Sequence, residues 1–94
     1  MILNRGGKMN FENDSEILKA LGHPVRLQII AGLCGGPVCN VSAMAGKLKI
    51  PQSTVSQHLG ILKNRGLITA RKTGVETCYY ISDERVKKIL SDLG

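Results

Sequence analysis

The hydrophobic repeat of this chain leaves the helical period at Leu67, and that switch limits the folds open to it. Upstream, apolar residues recur every three or four positions, the spacing of helices that bury one face. Ile17, Leu18 and Leu21 make one such stripe, and Val25, Leu27, Ile29, Ile30 and Leu33 a second. Val41, Met44, Ala45 and Leu48 make a third, and Val55, Leu59 and Leu62 a fourth. Downstream, residues 67–72 and 77–81 read as strands joined through Thr73-Gly74-Val75-Glu76, a hairpin turn. A last helical stripe follows with Val86, Ile89, Leu90 and Leu93. The expected fold is mainly α with one β-hairpin (α+β), in the order four helices, two strands, one helix.

Local signals punctuate that order. Asn13-x-x-Glu16 has the form of a capping box and Gly22 that of a helix stop. Pro24 suits the first position of the second helix, which ends at Gly35-Gly36-Pro37, and Asn40 can cap the third. Residues 1–12 are expected to be a loose arm and residues 13–94 the folded domain. Codons for Arg5-Gly6-Gly7-Lys8 before Met9 can include a ribosome-binding sequence, which would make Met9 the natural start. The rival is a basic arm, with Arg5 and Lys8, that touches DNA.

A domain of 94 residues buries only about 60–65% of its unfolded surface, so pairing of two copies would help to stabilise it. With 43% hydrophobic residues and no apolar run near 18, the chain does not read as membrane-spanning. Its charge is unevenly placed. No Asp or Glu occurs between residues 17 and 75, where Lys19, Arg26, Lys47, Lys49, Lys63, Arg65, Arg71 and Lys72 stand. A one-signed field over the middle of a small domain favours a polyanionic partner, although a solvated basic surface would show it too. Three cysteines without a secretory signal point to a reducing cytoplasm. No acidic pair, phosphate-binding glycine loop or nucleophile–histidine spacing marks an enzyme. No cysteine pair has the tight spacing of structural zinc.

The fourth helical segment, PQSTVSQHLGILKNRGL (51–67), has two unlike faces. Opposite its apolar stripe it carries Gln52, Ser53, Ser56, Gln57, Gly60 and Lys63, with no carboxylate. The short break before it has helix-turn-helix length. In that motif the second helix enters the DNA major groove, where Gln can pair bidentately with adenine and Ser can serve bases or phosphates. The candidate DNA contacts on this helix are Gln52, Ser53, Thr54, Ser56, Gln57, His58 and Lys63. Arg71 and Lys72 on the hairpin, with Lys47, Lys49 and Arg65, would grip phosphate. The competing assignment is a winged-helix protein-interaction module that never reads DNA. Such a module would need apolar anchors on the same face, and that face has none.

Three stretches, LKALGHPVRLQII (18–30), PQSTVSQHLGILKNRGLI (51–68) and RKTGVETCYYIS (71–82), resemble the ArsR/SmtB family of repressors. The resemblance spans about residues 15–93. It implies a winged helix-turn-helix that binds operator DNA as a homodimer and leaves it when an inducer binds. It makes Gln52, Ser53, Ser56 and Gln57 the base and phosphate contacts and His23 a structural part of a His-Pro helix start. It also implies a dimer surface from Val86, Ile89, Leu90 and Leu93 with Ile17, Leu18 and Leu21. The same residues would equally complete a monomer core.

The family's metal sites do not carry over. Its C-x-C arsenic ligands fall on Asn40 and Ser42, neither a soft-metal ligand. Of its zinc ligands, Asp83 matches the first, Arg85 replaces the His, and the sequence ends at Gly94 before the later pair. A guanidinium cannot bind a metal. Cys34 and Cys39 flank the Gly-Gly-Pro turn and are the candidate thiol sensors, for an oxidant, reactive sulfur or As(III). The plainer assignment is two small residues at a helix end, and a third is that no cysteine senses anything. Cys78 reads as buried packing. On the sensing assignment, oxidant or arsenite weakens operator binding and Cys34→Ser abolishes the response.

Overall fold

Asn10, rather than Asn13, opens the first helix. In the computed structural model, which describes residues 10–94, Asn10 is extended and its side chain accepts the Asn13 N–H at 3.0 Å. An Asn caps equally well at either position, and here the earlier one is used. Helix α1 therefore spans Phe11–Leu21, so the arm–domain boundary expected after residue 12 falls inside a helix. Arg5, Lys8 and Met9, on which the leader and basic-arm expectations rest, lie outside the described residues.

The other boundaries follow their local signals. Gly22 closes α1 through its N–H to the Lys19 carbonyl. Helix α2 (Pro24–Cys34) has Pro24 in its first turn, and the His23 ring accepts the Val25 N–H at 3.1 Å. Helix α3 (Val41–Leu48) is capped by Asn40, which accepts from Ala43 at 2.9 Å. Helix α4 spans Gln52–Asn64, strand β1 Ile68–Thr73, strand β2 Glu76–Ile81 and helix α5 Arg85–Leu93. The strands pair antiparallel from Ile68 opposite Ile81 to Thr73 opposite Glu76. Gly74 turns the tip at φ 65°, a conformation that only glycine adopts without penalty.

Helix α2 carries apolar residues on more than one side because several elements meet it: α1, α4, α5 and β2 all pack on it. Ile29 and Ile30 are fully buried there, with Val55, Leu59 and Leu62 of α4 facing them across the core. Leu67 and Ile68 carry the core into the hairpin, and Val86 closes it from α5.

The stripe expected to mediate dimerisation divides in two. Ile17, Leu21 and Val86 belong to the protein's own core, whereas Leu18 is 58% and Leu93 72% exposed. Ile89 and Leu90 are half-buried.

Candidate nucleic-acid interface

The turn between α3 and α4 sets the direction of α4. Lys49 ends α3 in the left-handed conformation, φ 58°, with its N–H turned back to the α3 carbonyls of Ala45 and Gly46. The extended Pro51 then starts α4, whose first turn has neither a side-chain cap nor a carboxylate. The positive end of that helix is therefore not neutralised from within its own first turn.

Burial sorts the α4 residues as the sequence pattern requires. Val55, Leu59 and Leu62 are inside. Gln52, Ser53, Ser56, Gln57 and Lys63 are exposed, Thr54 and Gly60 half-buried. Nothing lies within 4 Å of the position a Cβ would take at Gly60.

His58 turns inward. Its ring lies 4.5 Å from that of His23, centroid to centroid, and its Nδ1 is 3.2 Å from Arg26 Nη1. Arg26 in turn donates through Nε to the Ala20 carbonyl. A guanidinium can only donate, so Nδ1 accepts and the neutral ring carries its proton on Nε2. Burial, with the positive charges that His23 and Arg26 can present, holds the His58 pKa below its ordinary 6.5. His58 and Arg26 thus form a joint linking the carboxyl end of α1 and the start of α2 to α4. Sequence spacing, which set His58 beside the reading face, carries no sign of a partner 32 positions away.

The cations of the acid-free stretch also divide. Arg26 is taken up by that joint. Arg65, expected on phosphate, is paired with Glu16 of α1 at 3.1 Å, and Lys19 approaches the same carboxylate at 3.5 Å. Lys47, Lys49, Lys63, Arg71 and Lys72 are exposed and make no ion pair among the described residues. They flank α4 from the end of α3, from α4 itself and from the hairpin. Arg71 is steadied by Tyr80, whose ring centroid lies 5.1 Å beneath its guanidinium.

This arrangement is a helix-turn-helix with a basic β-wing. Residues 23–70 match the model of the bacterial regulatory proteins of the arsR family. The chain belongs to the ArsR family. An uncharacterised HTH-type transcriptional regulator of Methanocaldococcus jannaschii is 47% identical over 81 residues, 85% of this chain and 90% of that protein. The transcriptional repressor PagR of Bacillus anthracis is 42% identical over 83 residues, 87% of this chain and 82% of the relative. Among solved structures, the homodimeric winged helix-turn-helix DNA-binding domain of a Mycobacterium bovis protein superposes with a TM-score of 0.78 at 29% identity. That superposition covers 95% of this chain and 86% of the other. Family membership makes the protein a DNA-binding transcription regulator and not an enzyme. Among the described residues no helix is long and apolar enough to cross a membrane.

Where other ArsR proteins are expected to carry metal ligands, this chain has different chemistry. Asn40 is spent on capping α3. Asp83 holds Arg85 instead of a metal, with Oδ2 2.7 Å from Nη2 and Oδ1 3.0 Å from Nε. These hydrogen bonds hold the Asp83 pKa below its ordinary 3.8. Arg85 reaches on to Asp14 of α1 at 3.6 Å, so a guanidinium ties α5 to α1.

The cysteines pair differently from the expectation. Cys39 is bonded to Cys78, 39 residues away, while Cys34 is free and exposed. A Cys34–Cys39 disulfide or two-thiolate As(III) site is incompatible with that bond. Cys78 is buried, as its packing assignment requires, but it is also bonded. Among the described residues, no three His, Cys, Asp or Glu side chains are grouped to hold a metal ion. The signal that sequence reasoning missed is the Val38–Tyr79 bridge, which brings a connector beside β2. No local pattern encodes that long-range pairing.

Proposed function

We propose that the protein is a homodimeric, sequence-specific repressor that lays α4 into the major groove of operator DNA and is governed by a thiol-reactive effector. One observation carries this reading: the acid-free, amide-and-hydroxyl face of α4 is exposed and flanked by five cations that make no ion pair among the described residues. In a groove, Gln52, Ser53, Ser56 and Gln57 meet base edges and nearby phosphates. Lys47, Lys49, Lys63, Arg71 and Lys72 neutralise phosphates on either side, which fixes register without choosing sequence. The half-buried His58 supports α4 from behind.

The partner copy would sit on α1 and α5, where exposed Leu18 and half-buried Ile89 line a cleft of about 160 Å³ and Leu93 of α5 is also exposed. The M. bovis relative is homodimeric, and PagR is named a repressor. Two-fold symmetry would place the reading helices about 34–36 Å apart, one turn of DNA.

The test is a pair of variants measured by fluorescence anisotropy on a duplex selected from a random pool and on its scrambled version. Gln57→Ala should lose about 1–3 kcal/mol on the selected duplex alone. Arg71→Ala should weaken both duplexes alike and flatten the salt dependence. Identical behaviour of the two variants on both duplexes refutes the assignment of roles, and failure of the parent to bind either duplex refutes DNA binding.

A further inference from the structure

The Cys39–Cys78 bond ties together the two parts that the proposed interface needs to hold in register. Cys39 immediately precedes the Asn40 cap of α3, so it marks the entrance to the helix-turn-helix. Cys78 lies in β2, opposite Arg71 of β1. Beside the bond, Val38 and Tyr79 exchange two backbone hydrogen bonds, of 3.1 and 2.8 Å, so the α2–α3 connector lies against the free edge of β2. Without the bond, this two-bond bridge is the backbone pairing that still holds the connector to the wing among the described residues.

The two sulfurs differ in access. Cys78 is 5% exposed. Cys39 is half-buried and lines a cavity of about 440 Å³ between α2 and α3, with Gly32, Val38, Ala43 and Met44 supplying apolar wall. A small reagent reaches Cys39 first, and Cys78 can answer only from within the protein. In a reducing compartment, lasting structural disulfides are rare and those that occur are usually transient and redox-sensing.

We infer that Cys39 and Cys78 are a reversible thiol–disulfide site that fixes the wing against the helix-turn-helix, the bonded form being the one that grips DNA. The inference rests on the DNA-binding reading above. Bond formation uses a low-molecular-weight disulfide, RSSR. The Cys39 thiolate attacks one sulfur and expels RS⁻, leaving a mixed disulfide. The Cys78 thiolate then attacks the Cys39 sulfur and expels the second RS⁻. The cysteines lose two electrons and two protons, and RSSR leaves as two RSH. A dithiol reverses both steps. Bonding presets the distance from α3 to the Arg71–Lys72 strand, so DNA binding no longer has to order the wing. This reverses the sign expected of a Cys34–Cys39 sensor: reduction, not oxidation, loosens the complex.

The experiment compares protein treated with oxidised glutathione and protein treated with dithiothreitol, with DNA affinity read by anisotropy and cysteine connectivity by non-reducing peptide mapping. The probe is a duplex selected from a random pool by the Cys34→Ser variant. Reduction should weaken binding roughly three- to tenfold, the scale set by ordering one further side chain. Cys34→Ser keeps the response. Cys39→Ser and Cys78→Ala each lose it and bind like the reduced parent, the alanine avoiding a buried hydroxyl. Equal affinities of the two redox forms, with the Cys39–Cys78 peptide present in the oxidised one, overturn the inference and leave the DNA reading standing. Absence of that peptide overturns it as well. A protein that binds no duplex in either form overturns the DNA reading on which the inference rests.

Discussion

Replacing Lys49 by glycine should make the protein more stable and its grip on DNA weaker, two effects with separate physical origins. Lys49 holds φ 58°, where a Cβ crowds the backbone. That conformation costs an L-residue about 1–2 kcal/mol. Glycine removes this cost but gives the unfolded chain more freedom, worth about 0.5–1 kcal/mol against it. The net expectation is a gain of about 0.5–1 kcal/mol, or about 2–8 °C in Tm for a domain of this size. Protein concentration must be matched between samples, because a dimer's Tm depends on it. The lost ammonium acts on the DNA side. If each Lys49 neutralises one phosphate, a dimer loses two, and the slope of log K against log salt falls by about 1.8. Lys49→Ala is the control, since it removes the charge and keeps the Cβ. Thermal denaturation and anisotropy between 50 and 200 mM salt, the range over which phosphate contacts are most visible, read the two effects. A glycine variant no more stable than the alanine variant refutes the backbone argument, and an unchanged salt slope refutes the phosphate contact.

Three further outcomes are expected. Gly60→Ala should stabilise the protein by about 1 kcal/mol, since mid-helix glycine is unfavourable and the added methyl meets open space; loss of DNA affinity in the same variant would show that the nucleic acid uses that space. Leu62→Ala removes a fully buried side chain and should cost about 2–5 kcal/mol in urea denaturation, with a loss below about 1 kcal/mol contradicting the assigned core. Acidification should destabilise the protein in two steps. The His58 pKa is lower folded than its ordinary 6.5, so the unfolded state takes up the proton first and stability falls as pH drops from near neutrality through 6.5 towards the folded value. The lowered Asp83 pKa acts later: its contribution is present above 3.8 and is lost as pH falls through the folded value. His58→Gln should remove the first step, as followed by urea denaturation between pH 7.5 and pH 5, and persistence of that step would exclude His58 as its source.

Much of the fold was legible because its signals are local. Helical spacing, the change of period at Leu67, the Asn40 cap, the Pro24 start and the Gly74 turn each depend on residues a few positions apart. The first helix shows the limit of such signals, because two asparagines, Asn10 and Asn13, can both serve as caps and only the packed helix chooses between them. The exposed polar face of α4 was equally legible, since the absence of carboxylates along 59 consecutive positions, residues 17–75, is a property of the sequence itself.

The sequence by itself determined the order of elements, the inward and outward faces of α4, and a positive middle for the domain. Tertiary structure alone decided which of those charges are available: it took Arg65 to Glu16 and Arg26 to His58. It likewise joined Cys39 to Cys78 in place of its neighbour Cys34. The physical reason is one of range. Helix and turn preferences act over a turn or two of chain, whereas ion pairs, stacked rings and disulfides need atoms brought within a few ångströms from distant positions, and only the packed core supplies that proximity.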